Sequence, residues 1–465
     1  MEYFTLLGAA TLVIGGLAAA LYAQRRDTGL VVGIAALYYW SLYGAWSIVI
    51  DKTGGFSGQH YQYLESKMFP IALDERYLLT LALYSGFIIL VELTLLAGLL
   101  RRRERPIPRL ILRHEAILLA GFAAGVGSYL VIRDQLSVAW ATHTSAYWYT
   151  RAASDPWFTL HQVLNRVALI PPAIGMATLA AGRRSRFFVS VSRRYTWPAY
   201  LLLAAAMGTF TFVLGNKNEV LTALLTGVLA YAGSVRHPRW WKVGPVVAAG
   251  LWFLAAVDFF RATPLSGIGA AVLARGQDSS DVSHFVTTSN EAFAAHFSLY
   301  GVLAAGTAPK FGYSLYSLAC SVVPRVLWPE RPRDIYLYYT ESVGTIQNQG
   351  YSLHHATGWY LNFGYVGVGL GAVALGLIWT ACLNARRRIR RRTGLLYRLF
   401  AIIAPWVLVA GLPPLIRAGP EGYKGLIIES FLIPLAVLLA ACRRGRPPPR
   451  LIPRPIAGRR AWVTG

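Results

Sequence analysis

Polar positions are sparse along this chain, and their spacing divides it into long apolar runs. Such runs recur at roughly 4–23, 30–50, 77–100, 115–133, 158–181, 196–214, 219–234, 243–260, 359–381, 396–416 and 425–441. Most approach the ~20 apolar residues that carry a helix across the ~30 Å hydrocarbon core of a bilayer. The runs are continuous, whereas a closed barrel would show short segments of alternating hydrophobicity. The expected fold class is therefore all-α: a polytopic integral membrane protein of about 11 transmembrane helices. An N-terminal bundle of about eight spans is expected over 1–260, a large loop over 261–358, about three further spans over 359–442, and a basic tail over 443–465. Within the large loop, apolar pieces near 292–308 and 311–323 are too short to span, so they are expected to lie in the interface or to re-enter. Shorter loops cover 51–76 and 134–157, the latter with the aromatic-rich "HTSAYWYTR".

Charge refines this picture. The chain has 45 Lys and Arg against 21 Asp and Glu, a formal net charge of +24. Spread over a soluble surface, such an excess would point to nucleic acid. Here most of it sits in every second connection: "QRRD", "RRRERPIPR", "RRSRFFVSVSRR", "VRHPRWWK", "NARRRIRRR" and "CRRGRPPPR". That alternation follows the positive-inside rule and predicts an outer N-terminus, a cytosolic C-terminus and an outward-facing large loop. The basic charge is then a topology signal in contact with anionic lipid, and no nucleic-acid partner is expected. The first run begins "MEYFTLLG" with no basic residue before it, which argues against a cleavable signal peptide. Three cysteines without CxxC spacing, and no HExxH, support neither a disulfide framework nor a metal site, so no metal or cofactor is expected.

Candidate chemistry lies on the expected outer side. The stretch "SVVPRVLWPERPRDIYLYYT", 321–340, holds three prolines and three arginines beside apolar segments. Its prolines force non-helical backbone, tolerated at membrane depth only where protein or a cavity covers it. Arg325 is placed to reach a lipid headgroup, while Arg331 and Arg333 either guide a polar ligand or pair with Glu330 and Asp334. Arg166, Lys217, Arg261, Arg325 and Arg417 run against the topological bias. Acids at similar depth, Asp258, Glu219 and Glu429, leave two readings open: ion pairs holding span ends together, or a basic pocket for an anion whose oxygens suit guanidinium forks. In the hairpin "LGNKNEV", 214–220, Asn216 or Asn218 can cap the next helix, and Lys217 beside that helix start calls for an anion, either Glu219 or a bound phosphate. The run "NQGYSLHHATGWYLNFGYVGVGLG", 348–371, sets His354 and His355 just ahead of a glycine-studded span. Histidine serves as a base near neutral pH and equally as a structural group. The turn "PPLIRAGPEGYKGLIIES", 413–430, packs Arg417, Glu421 and Lys424 between two spans, with Glu429 about one turn inside the last.

In order, these pieces resemble the bacterial oligosaccharide repeat-unit polymerases, the O-antigen polymerase family, and the related O-antigen ligases. The resemblance rests on the Gly215–Asn216–Lys217 turn, the large loop with Pro324, Arg325, Leu327, Trp328, Pro329, Arg331 and Pro332, the Tyr360–Gly367 stretch "YLNFGYVG", and the late Arg417. It covers mainly 205–435; the N-terminal third matches only in being apolar.

The resemblance implies a membrane glycosyltransferase of the bacterial cytoplasmic membrane. It would polymerise undecaprenyl-diphosphate-linked oligosaccharide units on the outer face for surface polysaccharide synthesis, without metal or nucleotide sugar. It would act on membrane-lipid-borne substrate, with a chain-length regulator protein as a conceivable partner. In that setting Lys217, Arg325 and Arg417 would hold the diphosphate and stabilise the leaving oxygen, with Arg261, Arg166 and His354 contributing to binding. His355 is the first candidate base and Glu291, in "SNEAF", the second. The ligases place a histidine in an "HN-x-x-L" context, and here the run is "HHATGWYL". Trp148, Tyr338 and Trp359 are candidates for stacking on sugar. A ligase shares nearly all these features. A lipid transporter would place polar groups at midspan, where only Glu92 stands out.

Overall fold

A computed structural model describes residues 1–54, 62–99, 109–142, 157–191, 193–214, 218–260, 291–323, 327–345, 352–390 and 393–444. They are mostly helical, and all eleven expected runs form helices. Eight are long and apolar enough to cross a membrane: Glu2–Arg25, Thr28–Lys52, Glu75–Gly98, His114–Asp134, Phe158–Arg184, Thr196–Val213, His355–Arg388 and Gly422–Ala441. The other three are Asn218–Ser234, Trp240–Phe260 and Leu395–Ala410. Aspartates set two helix starts: Asp27 accepts from Gly29 N at 2.9 Å and Asp74 from Tyr77 N at 2.9 Å, satisfying donors that a helix N-terminus leaves open.

The two ends of the bundle differ. At one end a small sheet of order Phe188–Val191, Leu110–Arg113, Cys442–Arg444 joins three of the arginine-rich connections; its first pair is parallel and its second antiparallel. Other basic residues knit this end. Arg25 donates to Asn384 Oδ1 at 2.7 Å and Arg113 to Ala440 O at 2.6 Å. Pro405, inside Leu395–Ala410, has no N–H to offer the Ala401 carbonyl four residues back. Arg386 takes that role, donating to Ala401 O at 3.2 Å and Ile402 O at 2.8 Å, its guanidinium stacked on Phe187 and Trp406.

The large loop builds the opposite end. Helix Glu291–Ala304 is apolar on nearly every side and accordingly buried, not laid on a surface: Phe293, Phe297 and Leu299 are fully enclosed. The piece at 311–323 is shorter, helix Tyr313–Cys320, and the 321–340 stretch ends in helix Ile335–Val343. "YLNFGYVG" explains how these dock. Helix His355–Ala385 is broken at Phe363 and Gly364, the latter at φ 61°, ψ −144°, a conformation that favours glycine. Beside the break Leu361 O accepts from Lys310 N at 2.7 Å. Asn362 accepts from Ser314 N and donates to Ser314 Oγ, both at 2.8 Å. The kink is thus the seat of the loop helices.

Candidate functional site

Two chain segments are zipped together at this end. Leu353 N donates to Arg417 O at 3.1 Å and Gly419 N to Leu353 O at 3.2 Å, a single parallel bridge between 352–355 and 417–419. Gly358 permits the approach, since a Cβ there would lie 2.6 Å from Pro420 Cδ and 2.8 Å from Gly419 Cα. The helix Ile335–Val343 is held to the same turn by its first N–H, which Glu421 Oε1 accepts at 3.1 Å. Burial pushes the Glu421 carboxyl up to about 7, and Asp334 adds to the rise against the bond from Ile335.

Arg417 projects from this zipper into three other parts of the chain. Its Nε donates to Ser352 Oγ at 2.9 Å, its Nη1 donates to Asn218 Oδ1 at 3.0 Å, and its guanidinium lies 5.2 Å from the Trp40 ring centroid. Asn218 opens the helix that follows the "LGNKNEV" hairpin. The late arginine and the hairpin, far apart in sequence, therefore meet.

Next to this meeting point lies a cavity of about 220 Å³ between helices Phe158–Ala181 and Asn218–Ser234 and the 411–430 segment. Gln162, Asn218, Glu219, Thr222 and Ser430 are polar residues of its lining; Phe158, Leu415 and Leu426 are apolar ones. Arg166 stands in the lining, hydrogen-bonded to Glu429 and to Gly425 O at 3.1 Å, with Glu219 at 4.0 Å; Lys424 lies 3.5 Å from Glu429. Among the described residues Arg166 and Lys424 thus pair with Glu219 and Glu429 in and behind this wall. Glu429 and Ser430 sit on a π-helical segment, Gly425–Leu432, whose wider turn sets the register of these side chains.

The histidines are enclosed and their tautomers follow from their bonds. His355 Nδ1 donates to Gly419 O at 2.9 Å, and its Nε2 accepts from Trp359 Nε1 at 3.1 Å and Tyr423 Oη at 3.3 Å. His354 caps its own helix, accepting at Nδ1 from Ala356 N at 3.1 Å, so its Nε2 donates to Ser41 Oγ at 2.9 Å. His296 donates from Nδ1 to Ser41 O at 2.7 Å and accepts at Nε2 from Tyr77 Oη at 3.0 Å. Ser41, which serves both rings, lies on a second π-helical segment, Tyr39–Tyr43. Burial, with His355 and His296 adding, holds His354 well below the usual imidazole range. All three rings are neutral and spent on the fold. They fix the 352–355 segment that positions Arg417.

Of the residues expected from sequence, Arg166 lines the cavity and Arg417 is bonded to its lining residue Asn218; His354 and His355 lie in the network just described. Lys217, Arg261, Arg325 and Trp148 lie outside the described residues, and of Glu291 only its place at a helix start is described. Arg331 donates to Ser321 O and Val323 O, both at 2.9 Å, and so braces the turn ahead of the proline-rich stretch. Trp359 is bonded to His355, while Tyr338 donates to Ala308 O at 2.7 Å and carries Lys310 over its ring at 3.8 Å. Gln162, Thr222, Ser430 and Trp40 were not legible as site residues, because each sits in an apolar run with nothing local to distinguish it. Among the described residues no group of His, Cys, Asp and Glu could hold a metal ion.

Fold and site together define a polytopic helical membrane protein with a polar cavity at one end of its bundle. No family model, curated protein or solved structure matches the chain.

Proposed function

We propose that this protein is a membrane glycosyltransferase that joins lipid-diphosphate-linked oligosaccharide units. It works at the outer face of the bacterial cytoplasmic membrane, with eleven spans, an outer N-terminus and a cytosolic C-terminus. The observation that carries the reading is the convergence of Arg417 with the hairpin at Asn218 beside a polar cavity, at the end opposite the arginine-rich sheet. The family resemblance singles out those same two elements.

In this reading an acceptor sugar hydroxyl oxygen attacks the anomeric carbon of the donor. The bond from that carbon to the phosphate oxygen breaks, the lipid diphosphate leaves with the electron pair, and the hydroxyl proton passes to a base. The charge that grows on the leaving oxygen is stabilised by a fixed guanidinium. Arg417 is suited to this. Its fork is already oriented by Ser352, Asn218 and Trp40, so little reorganisation accompanies the reaction. Arg166 is neutralised by Glu429 and takes a structural part. His355, with both nitrogens engaged, positions the Gly419 turn rather than taking the proton.

The test is reconstitution with the native undecaprenyl-diphosphate repeat unit, free of metal and nucleotide sugar, with products resolved on a gel. A ladder of lengthening glycans supports the polymerase. Product only when lipid A core is added assigns a ligase. Movement of lipid between leaflets without any new glycosidic bond overturns the enzyme reading.

A further inference from the structure

The balance of charge at the cavity separates two kinds of ligand. The lining holds Glu219 and Arg166, and Arg166 is bonded to Glu429 with Glu219 4.0 Å away, so a diphosphate drawn inside would meet a carboxylate and a guanidinium already paired. Among the described lining residues no cation stands without a carboxylate beside it. Arg417 is not among the lining residues and is linked to the cavity through Asn218 Oδ1. The interior instead offers uncharged and acceptor groups. Gln162 and Asn218 carry amides, Thr222 and Ser430 hydroxyls, Glu219 a carboxylate 96% removed from solvent, and Phe158 an aromatic ring. Because Asn218 Oδ1 is taken by Arg417, its Nδ2 is left to donate; because the Thr222 hydroxyl donates to Asn218 O at 2.9 Å, its oxygen is left to accept. Donors, acceptors and an apolar wall in one recess match a sugar ring, which presents hydroxyls at its rim and C–H groups on its faces. The volume of about 220 Å³ is below the ~300–1,000 Å³ usual for drug-sized ligands and accommodates one ring.

We infer that this cavity is a subsite for a single neutral sugar, the one joined directly to the diphosphate. The inference rests on the lipid-diphosphate reading above and extends it to specificity. Arg417 holds the phosphate at the mouth, and Gln162, Asn218, Glu219, Thr222 and Ser430 hold the sugar within. A uronic acid at that position would set its carboxylate beside Glu219, while Arg166 is taken by Glu429, so the subsite selects an uncharged ring.

The test is a binding series on the full-length protein in lipid nanodiscs free of alkyl-glycoside detergent, read by calorimetry. The probes are geranyl diphosphate and its glucosyl, galactosyl, N-acetylglucosaminyl and galacturonyl conjugates. The expected result is that at least one neutral conjugate binds about tenfold or more tighter than geranyl diphosphate, while the galacturonyl conjugate gains nothing. Gln162→Leu and Ser430→Ala should each remove part of that gain and leave geranyl diphosphate affinity unchanged. Arg417→Ala should weaken every probe. Equal affinity for bare and glycosylated probes overturns the sugar subsite alone and leaves the diphosphate reading standing. A sugar-dependent gain that is indifferent to Arg417→Ala supports the subsite and sinks the diphosphate reading. No binding of any probe overturns both.

Discussion

Arg417 shows how much one side chain is asked to do. Its guanidinium ties Ser352, Asn218 and the Trp40 ring, partners drawn from three separate regions of the chain. A lysine keeps the charge but not the planar fork, so Arg417→Lys should lower glycan product about tenfold, well short of rescuing Arg417→Ala. Initial rates in reconstituted membranes check this. Glu421 gives a pH prediction. Its pKa is raised from an ordinary 4.5 to about 7, so the fold favours the protonated acid. Stability from that proton is fully present below pH ~4.5 and is lost as pH rises through about 7. Melting temperatures should fall between pH 5 and 8 in the wild type and fall less in Glu421→Gln, whose amide oxygen still accepts from Ile335 N. An equal fall in both would mean that the Glu421 proton contributes nothing to stability. The sequence placed Arg417, Glu421 and both histidines outside the apolar runs, which made them visible as candidates. It could not say that His355 has no nitrogen to spare, because both bonds depend on Gly419, Trp359 and Tyr423 arriving together.

At the scale of elements, the kink in His355–Ala385 decides where the loop helices sit. Gly364→Ala puts a Cβ at φ 61°, ψ −144° and should cost about 1–3 kcal/mol, seen as a lowered melting temperature. Tyr84→Phe should cost a comparable ~1–3 kcal/mol, because it strips the hydroxyl that serves Ala295 O, His296 O and Thr357 Oγ1 at 3.1–3.2 Å in a fully buried place. A neutral outcome for either would mean that the loop helices do not depend on this seat. The elements themselves were largely legible, since hydrophobic runs marked eleven helices; the kink was not, because glycines in an apolar run read equally as sites of close helix packing. The burial of Glu291–Ala304 was not. A run too short to span looks the same whether it lies on the interface or inside a bundle, and only partners such as Tyr77 and Tyr84 decide it.

For the whole molecule, the alternating charge implies two faces, and the structure gathers the arginine-rich sheet at one end and the cavity at the other. The three free cysteines report which end is which. Cys320 belongs to the loop end, Cys382 and Cys442 to the sheet end. In intact cells a membrane-impermeant maleimide should label Cys320; protection of Cys320 until the cells are permeabilised would invert the orientation and place the cavity in the cytosol. One gel bears most directly on the proposed chemistry: purified wild-type protein and Arg417→Ala, side by side, each given the undecaprenyl-diphosphate repeat unit without metal or nucleotide sugar. A ladder is expected in the first lane and its loss in the second, with both proteins still folded at the assay temperature. An undiminished ladder from Arg417→Ala, or none from the wild type with substrate intact, would contradict an arginine-clamped glycosyl transfer.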